Sequence, residues 1–237
     1  SRIEKKIDSH NIKISILGKP NAGKSTFFNS IVKENRSIVS TKAGTTRDAI
    51  SKTILFKNDN IQLFDTAGLR KKSKVDQEIE IFSVSKAISS MRSSSGVLYL
   101  VDGKEKITDQ DLHLISLIIS AGKPLILGLN KSDKLSQYDK SNLTTSLNKK
   151  LAFISGISIH YISAKHNKGT AKVFKELIKL VKKSSKKIDT SALNNFVEEA
   201  SKLNPPQMSG RFRPKIKYAN LLSSQPTIIR IQGNNLD

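Results

Sequence analysis

Gly18-Lys19-Pro20-Asn21-Ala22-Gly23-Lys24-Ser25 has the spacing G-x-x-x-x-G-K-S. Glycines at Gly18 and Gly23 let the backbone curl with no Cβ in the way. Successive N–H groups of such a turn converge, and a following helix start adds positive field at the same place. That combination suits phosphate oxygens. A lysine at Lys24 can bridge the outer phosphates of a nucleotide, and a hydroxyl at Ser25 can reach Mg²⁺. Thr26 continues the binding turn.

Further stretches fit the same ligand. Asp65 opens Asp65-Thr66-Ala67-Gly68-Leu69 and can hold Mg²⁺ through a water. Gly68 carries no side chain, so its N–H can approach a γ-phosphate, and a loop gripping that phosphate is released when hydrolysis removes it. Thr45 and Thr46 can supply hydroxyl ligands from Gly44-Thr45-Thr46-Arg47-Asp48. Asn130-Lys131-Ser132-Asp133 reads as a base-recognition loop. A carboxylate at Asp133 accepts from both N–H donors of guanine but opposes the bare ring nitrogen of adenine, leaving polar groups unpaired. Asn130 can order that loop and touch the base, and the Lys131 stem can cover the base face. Ser163-Ala164-Lys165 can set a backbone N–H near the guanine oxygen.

Each motif must be positioned by an element, and the pattern supplies them. Strands are predicted over 12–17, 49–56, 61–64, 97–101, 124–129 and 157–162, with a polar irregular segment over 33–48. Helices are predicted from Thr26, and over 76–91, 107–121, 138–149 and 170–183. Ile79, Phe82, Val84 and Ile88 face inward in the second of these, and Leu112, Ile115 and Ile119 in the third. Val173, Phe174, Leu177, Ile178 and Val181 do so in the last. Strands alternating with helices call for a mostly parallel sheet covered on both faces, with ligands at the strand ends. A boundary falls at 184–189. Beyond it, Leu193, Phe196, Val197, Ala200 and Leu203 are spaced for a short helix that Pro205-Pro206 stops, followed by strands over 211–219 and 227–232.

Composition agrees with a globular protein. The chain has 237 residues, 37% hydrophobic and 26% charged, and no cysteine, so neither a disulfide framework nor a thiolate metal site is available. The longest uncharged apolar stretch, near Leu112 to Gly122, is well short of the ~20 residues a bilayer span needs. The net charge is +21, which favours a polyanionic partner, although general over-use of Lys, Asn, Ile and Ser is the competing explanation. The first residue is Ser1 rather than Met, and upstream sequence is expected.

In order, GKPNAGKS, GTTRD, DTAGL, NKSD and SAK resemble the translation-factor-like branch of P-loop GTPases over residues 10–183. DTAGLRKKSKV and the stretch Glu78 to Met91 are similar to the second GTPase domain of the Der (EngA) ribosome-assembly GTPases. Ser191-Ala192-Leu193-Asn194, Pro205-Pro206, Gly210-Arg211, Lys215-Ile216-Lys217-Tyr218-Ala219 and Gln225-Pro226-Thr227 are similar to that family's C-terminal KH-like domain. The resemblance implies an α/β P-loop GTPase domain followed by a small α+β KH-like domain. Residues 1–11 would be a linker, 12–183 the GTPase domain, 184–189 a linker and 190–237 the KH-like domain, truncated relative to the family. It further implies GTP as substrate, GDP as product and Mg²⁺ as cofactor; with no cationic-then-apolar signal segment, no membrane span and no cysteine in the sequence, a cytoplasmic location without a membrane partner is the natural reading. The implied partner is the large ribosomal subunit with its RNA, late in assembly, and an upstream GTPase domain would be missing.

By the same resemblance, residues 18–26, 65–69, 130–133 and 163–165 contact the nucleotide. Leu69 stands where related small GTPases carry a water-orienting glutamine. Catalysis then falls to Lys24, Thr46, Gly68 and Asn21, with Asn21, Ser40, the Lys42 carbonyl and Thr45 matching a K⁺ site of potassium-activated relatives. Thr46 matches the Mg²⁺ ligand beside Ser25 and Asp65. No G-x-x-G loop follows Gly210, so the usual KH route to RNA is not expected. Two other readings stay open: a GTP-dependent binding module with negligible turnover, and a related GTPase of RNA modification or small-subunit assembly.

Overall fold

The computed structural model describes residues 12–34, 38–42, 50–56, 59–65, 87–152, 154, 156–186, 188–205, 207–208, 213–224 and 227–234. Its strands are β1 (Ile12–Leu17), β2 (Ile38–Lys42), β3 (Ile50–Phe56), β4 (Asp59–Asp65), β5 (Gly96–Asp102), β6 (Leu125–Asn130), β7 (Ser158–Tyr161), β8 (Lys215–Ser224) and β9 (Thr227–Asn234). Its helices are α1 (Lys24–Glu34), α2 (described over 87–93), α3 (Asp109–Ser120), α4 (Gln137–Lys150), α5 (Thr170–Ser184) and α6 (Thr190–Leu203).

Seven strands form one sheet in the order β2-β3-β4-β1-β5-β6-β7. From β4 through β7 the neighbours are parallel, while β2 and β3 are antiparallel additions at one edge. Central strands of such a sheet are covered twice and read as unbroken apolar runs. Accordingly every residue of β5 and β6 is buried. Alternation along β5 sends Leu98 and Leu100 to one face, with Phe27, Phe28 and Ile31 of α1 and Val173, Phe174 and Leu177 of α5. Val97, Tyr99 and Val101 go to the other face, with Met91, Ile115, Ile118 and Leu147 from α2, α3 and α4. The two clusters therefore lie on opposite sides of the sheet.

The segment expected to be irregular over 33–48 contains β2, which pairs with β3 from Ile38↔Ile54 to Lys42↔Ser51. The run Ile38-Val39-Ser40-Thr41 is β-branched enough to extend an edge, and polarity concealed it because an edge strand need not be apolar. In the predicted 107–121 helix, Ile107 is buried but precedes the helix, which Thr108 caps. Ile79, Phe82 and Val84 lie outside the described residues.

The chain divides into two compact units, Ser1–Val181 and Lys182–Asp237. In the second unit Asp189 caps α6 by accepting from the Ala192 N–H at 3.0 Å. Asn194 then clamps α6 to β8: its amide donates to the Ala219 carbonyl and its oxygen accepts from the Ala219 N–H, both at 2.8 Å. β8 and β9 form an antiparallel pair from Lys215↔Asn234 to Ser224↔Thr227. The helix expected from Leu193 to Leu203 is α6, with Leu193 buried and Phe196 and Leu203 68% and 81% exposed. One expectation needs correction. The strand expected over 211–219 is β8, shifted toward the C-terminus.

Candidate functional site

The phosphate loop joins β1 to α1. Gly18 has φ 139° and Gly23 φ 93°, and a Cβ on either would collide, with the Leu100 carbonyl oxygen and with the Asn130 amide respectively. Asn21 also takes a positive φ, 62°, and is exposed. Lys24 is 5% exposed, and its Nζ donates to the carbonyls of Gly18 at 2.8 Å and Lys19 at 2.5 Å. The ammonium thus lies inside the curl of the loop. Ser25 and Thr26 follow in the first turn of α1, where N–H groups have no acceptor within a helix. A buried cation at the start of a helix, in a cradle that side chains would fill, fits a polyphosphate.

β4 brings Asp65 to the same edge, since Asp65 pairs in register with Ile16, one residue before β1 ends. Ser25 lies in the first turn of α1. Among the described residues no cluster of three His, Asp or Glu could hold an ion alone. A Mg²⁺ at Ser25 and Asp65 would therefore draw on phosphate oxygens, as this ion commonly does. Thr45, Thr46, Thr66, Ala67, Gly68 and Leu69 lie outside the described residues, and Ser40 and Lys42 are described as backbone positions of β2.

The base loop follows β6. Asn130 is 3% exposed and connects both halves of the site. Its amide donates to the Ala22 carbonyl at 2.8 Å, and its oxygen accepts from the Ala164 N–H at 2.9 Å. One side chain thereby ties the phosphate loop to the Ser163-Ala164-Lys165 turn. Ser163 turns toward Asp133: its hydroxyl donates to Oδ1 at 2.5 Å and holds the carboxyl below the usual carboxylate range. Asp133 is thus fixed as an ionised acceptor at neutral pH. Lys131 adopts φ 61°, and its ammonium pairs with Asp102 Oδ2 at 2.5 Å.

The sequence motifs do not include a second anchor of the phosphate loop. Lys19 Nζ pairs with Asp111 Oδ2 at 3.0 Å. Asp111 is also the N3 residue of the α3 cap, accepting at that oxygen from the Thr108 N–H and hydroxyl, both at 2.9 Å. Its other oxygen accepts from buried Tyr99 at 2.8 Å. Burial drives the Asp111 carboxyl up, but the Thr108 N–H, Lys19 and Tyr99 outweigh it and hold the group below its ordinary value. Burial first, then the Asp111 charge, pushes the Tyr99 phenol far up. The spacing Thr108-Asp109-Gln110-Asp111 is a capping-box signal, and it would have exposed this carboxylate.

Residues 13–131 match the 50S ribosome-binding GTPase family, and residues 81–183 match the elongation factor Tu GTP-binding domain. Residues 187–237 match the KH-domain-like C-terminal region of EngA bacterial GTPases. The chain belongs to the 50S ribosome-binding GTPases, in the Der (EngA) branch. It is 39% identical over 226 residues to GTPase Der of Polaromonas naphthalenivorans, which aligns over 95% of this chain and 51% of that protein. It is 42% identical to GTPase Der of Buchnera aphidicola subsp. Baizongia pistaciae, over 95% of this chain and 48% of that one. The chain thus spans about half the length of these curated relatives. Among solved structures it resembles Era in complex with MgGDPNP and nucleotides of 16S ribosomal RNA, at TM-score 0.56 and 25% identity over 93% of this chain and 76% of that one. Membership of the Der branch accounts for both halves at once: the nucleotide motifs lie at the ends of parallel strands, and a separate small α+β unit follows.

Proposed function

We propose that this chain binds guanine nucleotides with Mg²⁺, hydrolyses GTP and acts in assembly of the large ribosomal subunit in the cytoplasm. The observation carrying the nucleotide half is Asn130. It fastens the phosphate loop to the base loop at a fixed separation, with Lys24 at one end and the oriented Asp133 carboxylate at the other. Residues 12–183 then constitute the GTPase domain and 190–237 the KH-like domain. Era supplies a neighbour seen with ribosomal RNA, and the Der relatives supply the family precedent.

Bound Mg²⁺ would neutralise charge on the outer phosphates. The other steps belong to the chain. Lys24 and the first N–H groups of α1 bind the phosphates. Asp133 accepts from the guanine edge, Lys131, paired with Asp102, covers the base face, and the Gly68 N–H would sense the γ-phosphate. With Leu69 unable to orient water, we assign a share of catalysis to K⁺ held by Asn21, Ser40, the Lys42 carbonyl and Thr45. Those residues would hold the ion, which would supply positive charge beside the phosphates as an arginine finger does, worth about 10³–10⁵ in rate.

Calorimetry with GDP, a non-hydrolysable GTP analogue and their adenine counterparts tests the site. Heat with guanine nucleotides alone is expected; no heat, or equal heat with adenine, overturns the assignment. Single-turnover phosphate release in K⁺ against Na⁺ tests the chemistry. Faster release in K⁺ supports the cation, equal rates remove it, and no release in either salt leaves a binding module only. Pelleting with purified subunits should favour the large one, and preference for the small one rejects the assembly assignment.

A further inference from the structure

Helix α5 carries a lysine stripe that the nucleotide site does not use. Lys172, Lys175, Lys179 and Lys183 recur at intervals of four or three, and all are exposed. That spacing keeps them on one line of the helix. Val173, Phe174, Leu177, Ile178 and Val181 occupy the opposite line and are buried in the sheet's core cluster. The core thus fixes the rotation of α5 and holds the lysines outward. From Lys172 to Lys183 the stripe runs roughly 16 Å at ~1.5 Å per residue. The helix has one acid, Glu176, and its carboxylate sits 3.1 Å from His160. Among the described residues Lys175, Lys179 and Lys183 have no carboxylate partner.

General over-use of lysine would not by itself set the residues on one line of a helix. Helix α3 is also packed on the sheet, yet it contains neither lysine nor arginine and begins with two acids. Helix α5 carries five lysines against one acid, where α3 carries no lysine. A line of ammonium groups along a rigid rod matches a line of phosphates, which bind lysine without regard to sequence. An anionic membrane would also attract lysines, but an interfacial helix inserts a free apolar face, and the apolar face of α5 is consumed by the core.

We infer that the outer face of α5 is a docking surface for the phosphodiester backbone of structured RNA, contacted by Lys172, Lys175, Lys179 and Lys183. This rests on the ribosome-assembly reading for the identity of its partner and is independent of the nucleotide site. The test measures binding of a labelled RNA duplex by fluorescence anisotropy between ~50 and ~200 mM KCl. The variants are Lys175→Gln/Lys179→Gln/Lys183→Gln and a charge-matched control, Lys33→Gln/Lys106→Gln/Lys149→Gln, whose lysines are exposed and scattered. Glutamine keeps helix propensity close to that of lysine. The stripe variant should weaken binding and reduce the slope of log affinity against log salt by about 2–3, at ~0.9 for each phosphate no longer neutralised, while the control stays near the parent. Equal losses in both variants reduce the effect to net charge and overturn the proposal, as does an unbroken slope in the stripe variant or no RNA binding by the parent chain. Flotation with phosphatidylserine vesicles is run beside it: stripe-dependent vesicle binding without stripe-dependent RNA binding assigns the face to a membrane and overturns the proposal. GDP affinity, measured on the same samples, separates failure of this surface from failure of the nucleotide site.

Discussion

At the scale of single residues, two side chains hold the site together without being its chemical groups. Asn130 satisfies one buried carbonyl and one buried N–H in different loops. Asn130→Ala should cost about 2–6 kcal/mol, since each of the two orphaned polar groups is worth roughly 1–3. Guanine-nucleotide affinity should fall with stability, read by denaturant melts and GDP titration. Asp111 acts at one remove through Lys19. The pair is part-exposed, so Asp111→Asn should weaken GDP binding by roughly fivefold, near 1 kcal/mol. Lys19→Ala should match it, and combining the two should add little, because both remove the same ion pair. The pH dependence has a definite sign. The folded Asp111 carboxyl lies below its ordinary value of about 3.9, so its contribution is complete above that pH and is lost as pH falls through the lower folded value. Acid melts of Asp111→Asn should therefore be flatter below about pH 4 than those of the parent.

At the scale of elements, the same apolar spacing led to two outcomes. Phe174 of α5 is buried and meets Phe56 edge-on, with ring centroids 5.3 Å apart. Phe196 of α6 is 68% exposed. Phe174→Ala should cost about 3–5 kcal/mol, whereas Phe196→Ala should stay within about 0.5, both by urea melts. This contrast marks what sequence could and could not convey. Periodicity reports which residues share a line, and for α5, β5 and β6 a neighbouring layer covered that line. In α6 Leu193 is buried while Phe196 and Leu203 are exposed, and no local pattern carries that difference. β2 was hidden for the complementary reason: its pairing with β3 is made by backbone groups, which leave no hydrophobic signature. The turn between β1 and α1 was legible because its backbone demands glycine at Gly18 and Gly23. The Asp111–Lys19 tie was not, because it joins residues remote in sequence by way of a helix cap.

At the scale of the whole molecule, the two units differ in how their backbone hydrogen bonds are protected. In Ser1–Val181, β5 and β6 are central, paired on both edges and buried at every residue. Opening their hydrogen bonds requires breaking both core clusters, so their amides should exchange only through global unfolding of that unit. In Lys182–Asp237 the sheet has two strands, and every residue of β9 is exposed. A two-stranded pair with so little cover is marginal by itself, and here its fastening to α6 rests on Asn194, Leu193 and Ala219. Hydrogen exchange should therefore show β9 amides exchanging well ahead of those in β5 and β6, with no change in that order when GDP saturates the first unit. Asn194→Ala should speed exchange in β8 and β9 and leave β5 and β6 as they were, because the clamp it removes belongs to the second unit alone. Equal protection across both sheets would mean that the second unit shares the stability of the first, which its own exposed strand does not supply.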